Sequence, residues 1–344
     1  MTDRQKRILI GLMMGIGVSL FVHHATRISG FFLTDLIDGY EYKSYDTRMK
    51  SRASFSEEAS IDDVVIIDIE QNSVESLGNY HEWPHAYHGQ LTDVVSSGNP
   101  KALIFDIIFD EKGAGNYYLV DALASNQTEP SPELQQVANQ YLASYDPTQF
   151  VRSTSRSTVA HHALVFENSD SINFLYAMDQ LPEAYDAKNH VLDISPEIAE
   201  KLPTAERLGN TYFNLLTSSH GAGAANFPQD EDGMIRRAPT AIHFKGSGEV
   251  FPTLIFSAVM DILGIPANGF LYDFDNHLLR LRDTTGTTVR EIPIDEQGRM
   301  YVNYYGMFKT FYYIPYMYCF DPEMLDPSYW EGKVALVGAS LPGL

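Results

Sequence analysis

Cysteine is almost absent. Cys319 is the only one in 344 residues, so no intrachain disulfide can form. A lone thiol is also what a chain facing an oxidising compartment can safely keep. Basic charge is scarce: 24 Lys and Arg stand against 45 Asp and Glu. The resulting net charge of -21 repels nucleic-acid phosphates and anionic headgroups alike, which excludes a nucleic-acid partner. There is no G-x-G-x-x-G or Walker spacing either. Gly332 to Ser340 (GKVALVGAS) reads as a buried strand running into a small-residue loop, with no following helix to receive an anion. A nucleotide site is therefore unsupported and no cofactor is expected. Because that central strand lies so close to Leu344, the chain is expected to be part of something longer. What is plentiful is apolar side chain, at 44%, enough for a substantial core in one large or two ordinary domains.

Only one long apolar run occurs. Arg4, Lys6 and Arg7 precede the uncharged stretch from Ile8 to Val22, and His23, His24 and Arg27 follow it. A helix of that stretch spans roughly 22 Å against a hydrocarbon core of about 30 Å, so the span is expected to draw on Phe31 to Leu33, with Arg27 snorkelling toward the headgroups. A cleaved signal peptide is the competing reading, but no small-x-small site follows Val22. The basic cluster before the run keeps residues 1–7 in the cytoplasm, places 8–31 in the inner membrane and sends the rest outside, into the periplasm. Beyond the span, Leu33, Leu36, Ile37 and Tyr40 recur at helical spacing, and Asp46 and Lys50 sit one turn apart. Residues 32–60 are thus expected to form a stalk helix and a short polar linker.

The region after residue 60 is organised around two similar stretches, Asp63 to Glu70 (DVVIIDIE) and Lys101 to Asp110 (KALIFDIIFD). Both are short, β-branched and apolar on both faces, as strands covered by helices on each side are. Each carries an isolated carboxylate, Asp68 or Asp106. An unpaired ionised Asp costs several kcal/mol to bury, so these two belong at strand ends, beside a partner, or holding a proton. Carboxyl ends of strands form the ligand rim of open α/β sheets, which groups Asp68, Glu70, Asp106 and Asp110 as candidates. Between the two strands, Asn72 to Leu77 reads as a turn of helix and Trp83-Pro84 opens a longer helix stopped by Gly98. Strand, helix, strand at this spacing predicts a parallel crossover. The fold class is α/β: three layers, a mainly parallel sheet flanked by helices, and an added β-hairpin region.

Further along, residues 111–158 read as a polar excursion with weak helices at 117–124 and 132–144. Val159 to Phe166 (VAHHALVF) is the third strand, whose adjacent His161 and His162 point to opposite faces and do not share a metal. Pro228 to Gly233 (PQDEDG) predicts a hairpin between Ala222–Phe227 and Met234–Phe244, an Asp-capped turn paired with Arg236 or Arg237. Its acidic run lacks the remaining ligands of a calcium loop, so no metal is expected. Phe251 to Leu263 predicts an apolar helix capped by Gly264, and Leu271–Leu281 with Val289–Ile294 a hairpin. The aromatic block Tyr301 to Phe320 fits a membrane-interface belt and a packed core equally.

Taken in order, these landmarks resemble a known family. They are the anchor, Tyr45-Asp46-x-Arg48, Val65-Ile66-Ile67-Asp68-Ile69-Glu70-x-x-Ser73, Leu77-Gly78 with Trp83-Pro84, Phe105-Asp106-Ile107-Ile108-Phe109, Asn226-x-Pro228-x-Asp230-x-Asp232-Gly233-x-x-Arg236-Arg237, and Gly332-Lys333-Val334-x-x-Val337-Gly338. Together, over Phe32 to Leu344, they look like the type-2 CHASE domain (cyclases and histidine kinases associated sensory extracellular). No single motif is specific; the ordered set is. His85 departs from the Trp and Arg that usually follow Trp83-Pro84 in that family, and the polar 116–158 region is another departure.

The resemblance implies a sensory domain at 61–344, outside the membrane and without chemistry of its own. Further transmembrane helices and a cytoplasmic adenylate cyclase, diguanylate cyclase or kinase typically follow such a domain. It also implies an unknown signal ligand or periplasmic partner and a homodimer, with Asp68, Glu70, Trp83, Asp106, Asp110, Asp232 and Arg236 as candidate ligand contacts. Two readings of other classes remain. One is a membrane-tethered metal hydrolase built on Asp68, Glu70, Asp106 and Asp110, for which no histidine lies in register and no nucleophile is identifiable. The other is an envelope scaffold or filament subunit.

Overall fold

The computed structural model describes residues 3–25, 32–55, 61–109, 132, 147–167, 190–210, 212–230, 232–306 and 310–341. Contacts divide the chain into two units, Met1–Ala59 with Asn303–Thr310, and Ser60–Val302 with Phe311–Leu344.

In the first unit, α1 (Asp3–Ala25) contains Arg4–His24, 21 residues long and apolar enough to cross a membrane, with none of it buried. At roughly 1.5 Å per residue that is about 32 Å, near the thickness of a hydrocarbon core. The second helix, α2 (Phe32–Phe55), runs past the expected stalk stripe. Its polar face is braced one turn at a time, by Thr47 Oγ1 donating to Lys43 O at 2.7 Å and Arg48 Nη1 to Ser44 Oγ at 2.7 Å. Arg52 Nη1 reaches Asn303 Oδ1 at 2.9 Å, tying Asn303 to the helix.

The second unit is built on a seven-stranded sheet. Its strands are β1 (Ile61–Ile69), β2 (Ala102–Phe105), β3 (Ala160–Glu167), β5 (Arg207–Asn210), β6 (Gly221–Ala224), β14 (Phe311–Pro315) and β15 (Val334–Ala339). The order is β14-β1-β15-β2-β3-β5, with β6 also paired to β3, and every pairing is parallel except β3 with β5. The crossover from β1 to β2 therefore leaves one seat open, which β15 fills. Alternation along the strands supplies two faces. Val65, Ile67, Ile69, Leu103, Phe105, Ala335 and Val337 meet Leu91 and Val95 of α4 (His85–Ser97), Phe150 of α5 (Pro147–Arg156) and Leu215 of α7 (Phe213–Ser218). Short α3 (Gln71–Leu77) adds Val74 and Leu77 to that layer. On the reverse face Ala102, Ile104 and Ala163 meet Leu254 and Ala258 of α8 (Leu254–Leu263). This is the expected three-layer α/β arrangement.

Small residues set the spacing. A Cβ on Gly223 of β6 would sit 2.6 Å from Leu254 N and Thr253 O, so the GAGA strand lets the start of α8 lie directly on the sheet. The helix ends at Gly264, φ 64°, whose N–H closes onto Met260 and Asp261 carbonyls.

The added region is more elaborate than one hairpin. A meander of β10 (Phe270–Asp273), β11 (Leu278–Arg282) and β12 (Thr288–Pro293) contains the expected hairpin. Beside it are β4 (Thr204–Ala205) with β8 (Ala241–Phe244) and β9 (Val250–Pro252), and β7 (Arg237–Pro239) with β13 (Arg299–Tyr301). The one-turn helix α6 (Pro196–Ala199) buries Ala199 in their core.

Several expectations are corrected. The hairpin across Pro228 to Gly233 does not form: β6 pairs with β3, whereas β7 pairs with β13 and β8 with β9. Strand β2 covers only Ala102–Phe105 of the stretch that begins at Lys101, and α8 begins at Leu254 because Phe251 and Pro252 belong to β9. The aromatic block divides: Tyr316 and Cys319 are buried in the core, while Tyr301, Tyr304, Tyr305 and Tyr312 are exposed. The weak helices expected at 117–124 and 132–144 lie outside the described residues, apart from Pro132.

Candidate functional site

At the carboxyl rim of the sheet the expected carboxylates are placed as follows. Asp68, nearly buried, accepts from Ser340 N at 3.0 Å and from Ser340 Oγ at 2.8 Å. Glu70 is the N-cap of α3, accepting from Asn72 N, from Ser73 N at 2.9 Å and from Ser73 Oγ at 2.8 Å. Asp106, just past β2, keeps an exposed surface, yet the protein crowding it desolvates its carboxyl enough to raise the pKa above the ordinary value. Asp110 lies outside the described residues. Since β15 separates β1 from β2, the backbones of Asp68 and Asp106 stand two strand spacings apart, about 10 Å. Among the described residues no group of three or more His, Cys, Asp or Glu is placed to hold a metal.

Trp83 is buried, donating Nε1–H to Gly78 O at 2.7 Å and packing its ring 4.9 Å from Tyr316. The departing residue His85 stacks on Tyr212 at 5.4 Å. Asp232 and Arg236 do come together. Arg236, 2% exposed, forks onto Asp232 at 2.8 and 2.7 Å and reaches Asp230 Oδ2 at 3.2 Å. The guanidinium holds the Asp232 carboxyl down at about 2. The turn itself closes with Gly233 N to Asp230 O and Asp230 N to Met234 O, both 2.8 Å.

The opposite, amino edge of the sheet carries polar chemistry that sequence reasoning missed. A cavity of about 390 Å³ opens there, lined by Lys101, Val159, His220, Met260, Asp261 and Pro266 among others. Asp261 Oδ2 lies 3.1 Å from His161 Nε2 and 3.0 Å from His220 Nε2. The first approach is short but poorly aligned for a hydrogen bond, since His161 Nε2 makes none. His161 Nδ1 meets Ser257 Oγ at 3.0 Å. Burial alone would push the Asp261 carboxyl up, but the two imidazoles bring it well below the usual range, and its bond to His220 raises that imidazole. One acidic residue in an otherwise apolar helical run was the available signal.

On the other face of β3 lies a patch of buried histidine and aromatic rings. His162 is stacked 4.9 Å from Phe105, with Nδ1 at 2.9 Å from Ser219 Oγ. His88 has Nδ1 at 2.8 Å from the Tyr316 hydroxyl and its ring 4.7 Å from Phe109. Desolvation, followed by the neighbouring His161 and His190, brings His162 down to about 3; desolvation, then His85 and His162, brings His88 well below the usual value.

With this geometry in place, residues 18–344 match the CHASE2 domain family. The chain belongs to that family. CHASE2 is an extracellular sensory domain of signalling receptors and not a catalytic one. Comparison with curated proteins and with solved structures gives no match. In this CHASE2 domain the landmarks of the resemblance do structural work at the ends of strands. Asn226 extends the β6–β3 ladder with its side chain, accepting from Phe166 N at 2.8 Å and donating to Phe166 O at 2.6 Å. Ser73 accepts from Met317 N at 3.2 Å, linking α3 to the turn after β14.

Proposed function

We propose that this CHASE2 chain is the signal-input half of a membrane-bound bacterial receptor. In this reading residues 1–7 lie in the cytoplasm, 8–31 span the inner membrane, 32–60 form stalk and linker, and 61–344 sit in the periplasm as a homodimer. The output is a cytoplasmic adenylate or diguanylate cyclase or a kinase. A signal ligand or periplasmic partner biases two arrangements of the domain, and the stalk passes that bias to the anchor. The observation that carries this reading is the extent of the family match: it runs from within α1, through all of α2, to the end of the sheet. Charge supports it, since a net -21 suits neither nucleic acid nor anionic lipid as partner.

The test has two arms. Reporter fusions after Ser60 are expected to be active only on the outer side of the membrane. Replacing Leu33 to Met49 with a flexible linker is expected to uncouple signal from output while the domain stays folded. A reporter facing the cytosol, or intact regulation across the linker, overturns the reading.

A further inference from the structure

Ser219 Oγ makes two contacts, one with Leu215 O at 2.8 Å and one with His162 Nδ1 at 2.9 Å. A hydroxyl has one proton, and a carbonyl can only accept. Both contacts are therefore made at once only if Ser219 donates to Leu215 and accepts from His162. That puts the His162 proton on Nδ1 and leaves Nε2 a bare lone pair. Among the described residues Nε2 has no hydrogen-bond partner, and His162 is 0% exposed. Around it stand Phe105, Phe150 at 5.6 Å and Phe109 at 6.2 Å, none of which can accept a proton. His88 shares this enclosure, 3% exposed, with its Nδ1 on a fully buried tyrosine hydroxyl.

Among the described residues, the charged or titratable groups acting on the two rings are His85 and His162 on His88, and His161 and His190 on His162. Tyr80 also meets His88 edge-on at 6.5 Å. The Asp261 carboxylate lies 3.1 Å from His161 and 3.0 Å from His220 on the opposite face of the sheet. A second proton on either ring thus creates a buried cation beside other imidazoles, without an acid among the described residues to pair it, which is tolerated only if the covering layer opens to water.

We propose that external acidification is the signal this domain reads, with protonation of His162 and His88 opening the α4, α5 and α7 layer. The proposal rests on the receptor reading, which puts these rings on the side of the membrane whose pH varies.

The experiment uses the full chain in lipid nanodiscs, following hydrogen exchange of the α4 and α7 amides, corrected for intrinsic rate, between pH 7.5 and 4.5. Two histidines that are neutral when closed and charged when open raise the opening constant about tenfold each, so about 100-fold together, per pH unit below roughly pH 6. His162→Phe keeps the ring stack and the Ser219 bond to Leu215, and is expected to cut that dependence to about tenfold. Adding His88→Phe with Tyr316→Phe is expected to flatten it. Labelled-histidine NMR on the unaltered chain supplies a readout that does not depend on any variant folding. There the two imidazoles are expected to stay neutral until the layer opens. Resonances titrating near pH 6.5 in a closed domain, or a pH dependence unchanged by the substitutions, overturn the proposal. That result leaves the receptor reading standing, whereas a reporter facing the cytosol removes the receptor reading itself.

Discussion

Asp68 on β1 and Ser340 just past β15 are joined by two hydrogen bonds, 3.0 Å from the Ser340 N–H and 2.8 Å from its hydroxyl. The conflict posed by a carboxylate in a buried apolar run is resolved here: the charge sits at the strand end and both its oxygens are occupied. Asp68→Ala leaves Ser340 without its acceptor and is expected to cost about 1–3 kcal/mol, with Asp68→Asn at the lower end because the amide still accepts once. Urea midpoints at pH 7 measure both. An unchanged midpoint for Asp68→Ala would show that the rim is not held this way.

Arg236 offers a larger effect. Its side chain is 3% exposed and it faces Asp230, itself 7% exposed. Removing this cation leaves the buried Asp230 with only the longer approach of Arg237 Nη1 at 3.9 Å, so Arg236→Met is expected to destabilise by up to about 3–5 kcal/mol. Arg236→Lys is expected to recover only part of that, because a single ammonium cannot fork onto Asp230 and Asp232 together. Thermal unfolding of the three proteins checks the order.

The Asp261 pair with His220 makes a pH prediction of defined sign. His220 is raised above its usual 6.5, so its contribution is complete below pH 6.5 and is lost as pH rises through the folded value. Asp261 is depressed below 3.8, so its contribution is complete above that pH and is lost as pH falls through the folded value. His220→Gln is therefore expected to lower the melting temperature more at pH 6 than at pH 8.5. Equal losses at both would mean that the imidazole carries no charge in the fold.

A packing prediction concerns Gly223. A Cβ there meets backbone atoms of Thr253 and Leu254 at 2.6 Å, where no side chain can swing aside. Gly223→Ala is expected to push α8 off the sheet and cost about 1–3 kcal/mol or more. Gly248→Ala, in a turn with open space around it, is the comparison, although its φ of 83° adds backbone strain of its own. The two differ in where exchange protection is lost: along α8 for Gly223→Ala, only in the β8–β9 turn for Gly248→Ala.

What could be read in the sequence were features that a segment announces by itself. Val65, Ile67 and Ile69 declare a strand covered on both faces, Gly264 a helix end, and the adjacency of His161 and His162 their opposite directions. Pairing partners are another matter. Pro228 to Gly233 correctly signals a reversal, but a turn does not specify that both arms join one sheet. The GAGA of β6 carries no side chains large enough to reveal that it lies beside β3, and the partner of β7 arrives only with Arg299. The Asp261 network was invisible for the same reason. Its members come from β3, from the loop before β6 and from α8, and only the tertiary fold brings them to one oxygen. Trp83 illustrates the converse: its motif stood out, and in the fold its ring fills the core between Tyr80 and Tyr316.

The place of β15 has a consequence for how the molecule is assembled. The seat between β1 and β2 is taken by a segment whose last contact, Ser340 with Asp68, spans 272 positions of chain. Until that segment is made, neither β1 nor β2 has this parallel neighbour of the finished sheet. Closure of so distant a loop is slow. The sheet's strand farthest along the chain is thus the wedge that locks the others, and maturation of the domain waits for it.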